Sequence, residues 1–285
     1  NYRENVMHLA PFDNKNQPIV NVDNERVPLN YFNIVKLSLG EEYSYQLVDF
    51  ESCVVPATGR VSVAVDGTQI AEVGLRTEDV WDGEPEGVYV PTGMICKIRC
   101  LSKTAEVFVA GAKYNETLTP FAVHADDIDT VQYGSDDTKT HRKIKHILGQ
   151  KQHGQVGRLL VSELFTVGAG GWSGFPSHKH SEDRDGETRH DETYNFRFKP
   201  SNGGALQLLQ RSDSEPGEAF HVVDGSTFLI DAGYHPCCVF PGCEMYYFTI
   251  LGGATTRGLT PYFHPAYADQ LETIPGMKAM WNKFK

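Results

Sequence analysis

The sequence predicts an all-β protein organised as two β-domains, and three observations carry that prediction. Between Val27 and Thr260, short runs of apolar residues, several in strict alternation with polar ones, recur with turn residues between them. That is the pattern of a sandwich or barrel rather than of alternating helices. At 285 residues the chain exceeds the usual size of one domain. A polar, charged interval also separates two strand-rich halves.

Taken in order, Val61-Ser62-Val63-Ala64-Val65 alternates cleanly and runs into Asp66-Gly67, a strong hairpin signal. Ala105-Glu106-Val107-Phe108-Val109 alternates too. In the second half the runs starting at Leu159, Ala205, Thr227 and Met245 repeat the theme. Between the halves, Asp126-Asp127 and Asp136-Asp137 are followed by Lys139, Arg142, Lys143, Lys145 and Lys151, a composition that reads as a solvated connector. The expected organisation is therefore a first domain over 1–125, a connector over 126–155, a second domain over 156–262, and a tail over 263–285 packed over a domain. The halves echo one another weakly: Val88 to Ile95 parallels Phe228 to His235, and the first half has Ile95 where the second has His235.

Composition excludes several classes of function. A formal net charge of -11 argues against binding a phosphate backbone, which needs a basic face, so no nucleic-acid partner is expected. No apolar run approaches the length of a membrane-spanning helix, and Asn1-Tyr2-Arg3-Glu4-Asn5 lacks the order of a secretion signal, so a cytoplasmic protein without a membrane partner is expected. The six cysteines show neither paired CxxC motifs nor a dense framework and are expected to be reduced thiols.

The most informative stretch is His178-Lys179-His180. In an extended strand residues i and i+2 point the same way, so both imidazoles face one side. A third histidine, His235, follows Gly233, which allows a tight turn. Three imidazoles and a carboxylate suit a divalent transition metal with positions open to a substrate, and the set does not discriminate among zinc, manganese, iron, cobalt and nickel. Two carboxylates compete for the fourth place. Asp185 lies at the shorter spacing, but the stretch from Ser181 to Asp191 is too polar for a strand and reads as a long hairpin loop. Glu192 then opens the next strand and shares a face with Tyr194 and Phe196, which makes it the preferred ligand. The remaining histidines, His146 and His153 among them, read as surface or structural residues, with His190 set apart because it adjoins Glu192.

These features resemble the cupin superfamily, in which an HxH strand, a following Glu and a distant His hold a metal inside a β-barrel. Gly170-Gly171-Trp172-Ser173-Gly174-Phe175-Pro176-Ser177-His178-Lys179-His180, then Glu192-Thr193-Tyr194-Asn195-Phe196-Arg197, then Gly233-Tyr234-His235-Pro236, then Met245-Tyr246-Tyr247 is similar to the 5-deoxy-glucuronate isomerase family of myo-inositol catabolism. Thr140 to Leu148 and Val88 to Gly93 resemble other segments of that family, from which the chain departs at Ser177 and Asn195. The resemblance implies a bicupin, two double-stranded β-helix (jelly-roll) barrels, with metal only in the second. It implies conversion of 5-deoxy-D-glucuronate to 5-dehydro-2-deoxy-D-gluconate, an aldose–ketose isomerisation of a small-molecule uronate. The ligands it implies are His178, His180, Glu192 and His235. Alternatives are the ketol-isomerase acting on 5-keto-4-deoxyuronate in pectin breakdown, a non-catalytic sugar-binding bicupin, and a cupin dioxygenase.

Around that centre, Tyr194 and His190 join Glu192 as candidates for catalytic groups, with Glu182 and Glu187 as further candidate bases; a hydride shift would need no base. Tyr234 and Tyr247 can offer hydroxyls to a polyol, and Arg142, Arg197 and Arg257 can hold a carboxylate through a bidentate pair. A homodimer is a further expectation, from the need to cover strand edges.

Overall fold

In the computed structural model, residues 6–279 are described. The opening 1–5, which bear the expectation of no secretion signal, and 280–285 of the expected tail lie outside them. The described residues are nearly all β, and none of their helices is long and apolar enough to cross a membrane.

Alternation builds the layers. In the strand Thr104–Lys113, Val107 and Val109 point to one side while Phe108, Ala110 and Ala112 point to the other. The first side packs a five-stranded sheet onto a four-stranded one that includes Val61–Val65 and Ile95–Cys100. The second side packs the same sheet against a seven-stranded sheet of the second half, where it meets Val161, Tyr246, Phe248 and Ile250. Phe108 and Phe248 lie 4.6 Å apart between ring centroids at this seam. The far face of the seven-stranded sheet, carrying Tyr194, Phe196 and Tyr247, packs onto a second four-stranded sheet containing Ala205, Val222 and Val239. Each fully buried aliphatic or aromatic side chain in these layers contributes about 1.5–3 kcal/mol.

The strand His190–Lys199 lies inside the seven-stranded sheet, paired on one edge with Thr227–Ile230 and on the other with Glu244–Gly253. Its side chains are therefore held from both flanks. The short pair His178–Lys179 and Tyr262–Phe263 closes over one end of the second half.

The segment read as a connector is not a plain linker. Asp129–Tyr133 and Arg142–Leu148 are strands that extend the seven-stranded sheet at one edge. Lys145 is buried and donates to Glu84 Oε1 at 2.8 Å, and Arg142 is buried as well. Charge on both faces of these strands resembles solvation in the sequence, whereas in the fold each face meets polar partners or a cavity. Within the described part of the tail, Leu271, Ile274 and Met277 pack against Tyr133. All six cysteines are free thiols.

The two halves are also joined by a buried ion pair. Arg76 Nη1 and Nη2 donate to Glu163 Oε1 and Oε2 at 2.7 and 2.6 Å, and the Tyr246 hydroxyl donates to the same carboxylate. Neither side chain of the pair is more than 1% exposed. Removing one partner strands the other charge, a loss of about 3–5 kcal/mol, whereas replacing both with apolar residues of similar volume costs less. Arg76→Met and Glu163→Met are each expected to lower the guanidinium denaturation midpoint strongly. The double variant is expected to recover part of that loss, and a strictly additive double variant would show the pair to be uncoupled.

Candidate active site

A cavity of about 700 Å³ opens on the far face of the seven-stranded sheet. His178, His180, Glu192, Tyr194 and Tyr247 line it. The sheet supplies these groups by alternation: Glu192 and Tyr194 come from its interior strand, Tyr247 and Thr249 from the neighbouring one. His235 arrives from a separate turn and is 1% exposed.

The ligand nitrogens of His178, His180 and His235 all lie within 4.8 Å of one another. Glu192 joins them, with Oε2 at 2.9 Å from His180 Nε2 and 3.2 Å from His235 Nε2. The second contact lacks hydrogen-bond alignment, so His235 Nε2 is a buried nitrogen without a hydrogen bond, as is His178 Nδ1. The opposite nitrogens are held by backbone. His180 Nδ1–H donates to the His190 carbonyl and His235 Nδ1–H to the Gly233 carbonyl, both at 2.9 Å. Those bonds hold both rings with Nε2 turned towards Glu192. Unpartnered buried imidazole nitrogens, fixed tautomers and an adjoining carboxylate are what a divalent metal needs, so the residues fit such an ion.

The cluster is electrostatically coupled. Burial, with His235 and His180 alongside, holds His178 well below its ordinary pKa and leaves it a neutral ligand. Burial alone would lower His180, but its bond to Glu192 raises it. Burial alone would raise the Glu192 carboxyl, but His180 and His235 hold it well below the usual carboxylate range. Glu192 Oε1 also accepts the Thr249 hydroxyl at 2.6 Å. Gly233 is indispensable to this turn: its φ is +103°, and a Cβ there would come within 2.7 Å of the Gln210 carbonyl oxygen.

Several expected residues lie elsewhere. His190 is fully buried outside the cavity lining, with Nε2 bonded to the Arg257 carbonyl at 3.1 Å, and burial beside His180 lowers its pKa to about 4. It orients His180 through its own carbonyl instead of facing a substrate. Tyr234 is also buried away from the cavity, its hydroxyl donating to Asp213 at 2.7 Å. Arg197 pairs with Glu106 at the seam between the halves and lies over the Phe108 ring. The alternation that puts Glu192 and Tyr194 on one face puts Arg197 on the other. Glu187 is buried against Lys179 and Arg184, and neither it nor Glu182 lines the cavity. Asp185 lies in the loop, outside the lining.

Arg142 and Tyr247 do line the cavity, and so does Arg257. The Tyr247 hydroxyl lies 2.8 Å from Ser173 Oγ. Sequence reasoning missed Thr249, whose place beside Glu192 follows from sharing the Tyr247 face of its strand. It also missed His146, which lines the cavity with Nδ1 at 2.7 Å from Ser162 Oγ.

Comparison with known proteins places this arrangement among relatives. The chain matches the model of the KduI/IolB family over residues 6–270. It is 28% identical over 230 residues to a protein of Listeria innocua named 5-deoxy-glucuronate isomerase, covering 79% of this chain and 82% of that one. The solved structure of an IolB-like protein from Salmonella typhimurium superimposes with a TM-score of 0.84 at 24% identity, over 92% of this chain and 98% of the other. The oxalate decarboxylase of Lactobacillus farciminis, a cupin-like neighbour, superimposes with a TM-score of 0.62 at 8% identity over 92% and 86%.

Metal content measured by mass spectrometry after equilibration with a single divalent ion checks the centre. Replacing His178, His180 or His235 by Ala is expected to abolish stoichiometric binding. Thr249→Val, which removes only the hydroxyl that orients Glu192, is expected to weaken affinity about 10- to 100-fold. Unchanged metal content in the histidine variants would remove the triad from consideration.

Proposed function

The chain belongs to the KduI/IolB family, and from that premise we propose that it is a metal-dependent 5-deoxy-glucuronate isomerase, an intramolecular aldose–ketose isomerase of myo-inositol catabolism. The observation that carries this reading is the convergence of three imidazoles and Glu192, with His178, His180 and Glu192 lining a cavity of about 700 Å³, in a chain whose relatives bear that name. The named relatives favour it over the ketol-isomerase of pectin breakdown and over a sugar-binding protein without activity. We read the paired sheets of each half as the two jelly-roll barrels of a bicupin, of which the second alone carries ligands.

His178, His180, Glu192 and His235 would hold the metal, which is zinc, manganese, iron, cobalt or nickel. When bound, such an ion supplies a Lewis acid and a template for the C1 carbonyl and C2 hydroxyl. The protein's own part is orientation and proton control. His190 and Gly233 fix two imidazoles through their carbonyls, and Thr249 fixes the carboxylate. The Tyr194 ring stacks on Tyr247 at 4.2 Å, which holds its phenol at the cavity wall. A phenol keeps its proton near neutral pH, so Tyr194 Oη is placed to donate to the oxygen on which charge develops as the C2 proton moves to C1.

A proton NMR time course with 5-deoxy-D-glucuronate is expected to show loss of the anomeric signals and growth of the ketose. Chelation should stop the conversion and added metal restore it, and no conversion by the metal-loaded protein would overturn the assignment. Tyr194→Phe is expected to lower kcat by about 100-fold or more with a smaller change in KM. Unchanged kcat in that variant would exclude Tyr194 from proton control.

A further inference from the structure

Arg142 is a buried cation to which the fold gives no counter-charge. Its side chain lines the cavity, yet the residue is only 2% exposed. Nη1 donates to the Thr140 carbonyl at 2.8 Å, and Nη2 to the Phe175 carbonyl at 3.0 Å and towards Met277 Sδ at 3.3 Å. Each of these acceptors is neutral. Among the described residues Arg142 forms no ion pair, and burial depresses its pKa below the ordinary value.

Two other arginines are treated differently. Arg76 holds Glu163 through both Nη atoms, and Arg197 holds Glu106. Arg257 and Arg158 line the cavity as well: Arg257 bonds the Leu159 and Gly149 carbonyls, with burial lowering its pKa to about 10 against the opposing charge of Glu51, and Arg158 bonds the Gly157 carbonyl. An uncompensated buried guanidinium is costly, and a fold retains it most economically where a ligand supplies the missing charge. Position fits that role. Arg142, Tyr247 and Glu192 all line the same cavity.

We propose that Arg142 is the specificity-determining anchor for the carboxylate at the far end of the substrate, so that the site selects uronic acids over neutral aldoses. This deepens the isomerase reading and rests on it. The reacting end engages the imidazole cluster while the acid end is drawn to Arg142, the most deeply buried of the cavity's guanidiniums without an ion pair. Both Nη2 protons are engaged by Phe175 and Met277, so the carboxylate is met by the remaining Nη1 proton, and Lys at this position restores charge without holding those acceptors in the same geometry.

The test compares kcat/KM for 5-deoxy-D-glucuronate with that for the same sugar carrying a primary alcohol in place of the carboxylate. It uses metal-loaded wild type, Arg142→Met, Arg142→Lys and Arg257→Met, each checked for metal content and thermal midpoint. Arg142→Met is expected to shrink the preference for the acid about 10- to 100-fold, mostly through KM, with Arg142→Lys intermediate and Arg257→Met close to wild type. Equal loss on acid and alcohol in Arg142→Met would overturn the proposal and leave Arg142 a structural residue, and a collapse of preference in Arg257→Met alone would move the anchor there. Wild type inactive on both sugars would instead overturn the isomerase reading. Calorimetry with D-glucuronate and D-glucose then decides the anchor independently: preferential acid binding that disappears in Arg142→Met supports it, and acid binding that persists in that variant overturns it.

Discussion

The structure of the second half turns on one carboxylate that could not be buried alone. Glu192 sits inside a seven-stranded sheet, where an unpaired charge would be prohibitively costly. His180, His235 and Thr249 meet it there, and each is delivered by a different segment of chain. His180 comes from the short pair at one end, His235 from the turn after Gly233, and Thr249 from the adjacent strand. Satisfying Glu192 therefore constrains three separate backbones at once. The geometry of the centre is a by-product of solving that electrostatic problem.

Much of this was legible in the sequence for a physical reason. A strand's period of two is strict, so the shared face of Glu192, Tyr194 and Phe196 could be read from spacing, and the same rule applied to Tyr247 would have found Thr249. The HxH pair and the Gly before His235 point to local geometry that tertiary packing does not override. The choice of Glu192 over Asp185 rested on the polarity of the intervening loop, and the strand in fact opens at His190, two residues before Glu192.

What was not legible depends on which surface meets which. Arg197 and Tyr234 looked available because arginine and tyrosine carry free polar ends, yet Glu106 and Asp213, distant in sequence, already occupy them. The charged segment around Arg142–Leu148 looked solvated because charge usually is, and only the fold shows one side turned to a cavity and Lys145 reaching Glu84 in the first half. Local pattern reports periodicity well. It does not report the partner.

The seam between the halves has a consequence for how such a protein can change over time. The strand Glu244–Gly253 gives Tyr246, Phe248 and Ile250 to the seam and Tyr247 and Thr249 to the cavity, so one ribbon serves two unrelated surfaces. A first half that gives no residue to the imidazole cluster is then no spare part. Shed it, and an apolar sheet face made for Phe108 and its neighbours would meet water, inviting self-association. A duplicated ancestor that lost chemistry in one copy would thus still be bound to keep that copy as a lining, and drift in the silent copy would be policed by the working one through shared residues one position apart.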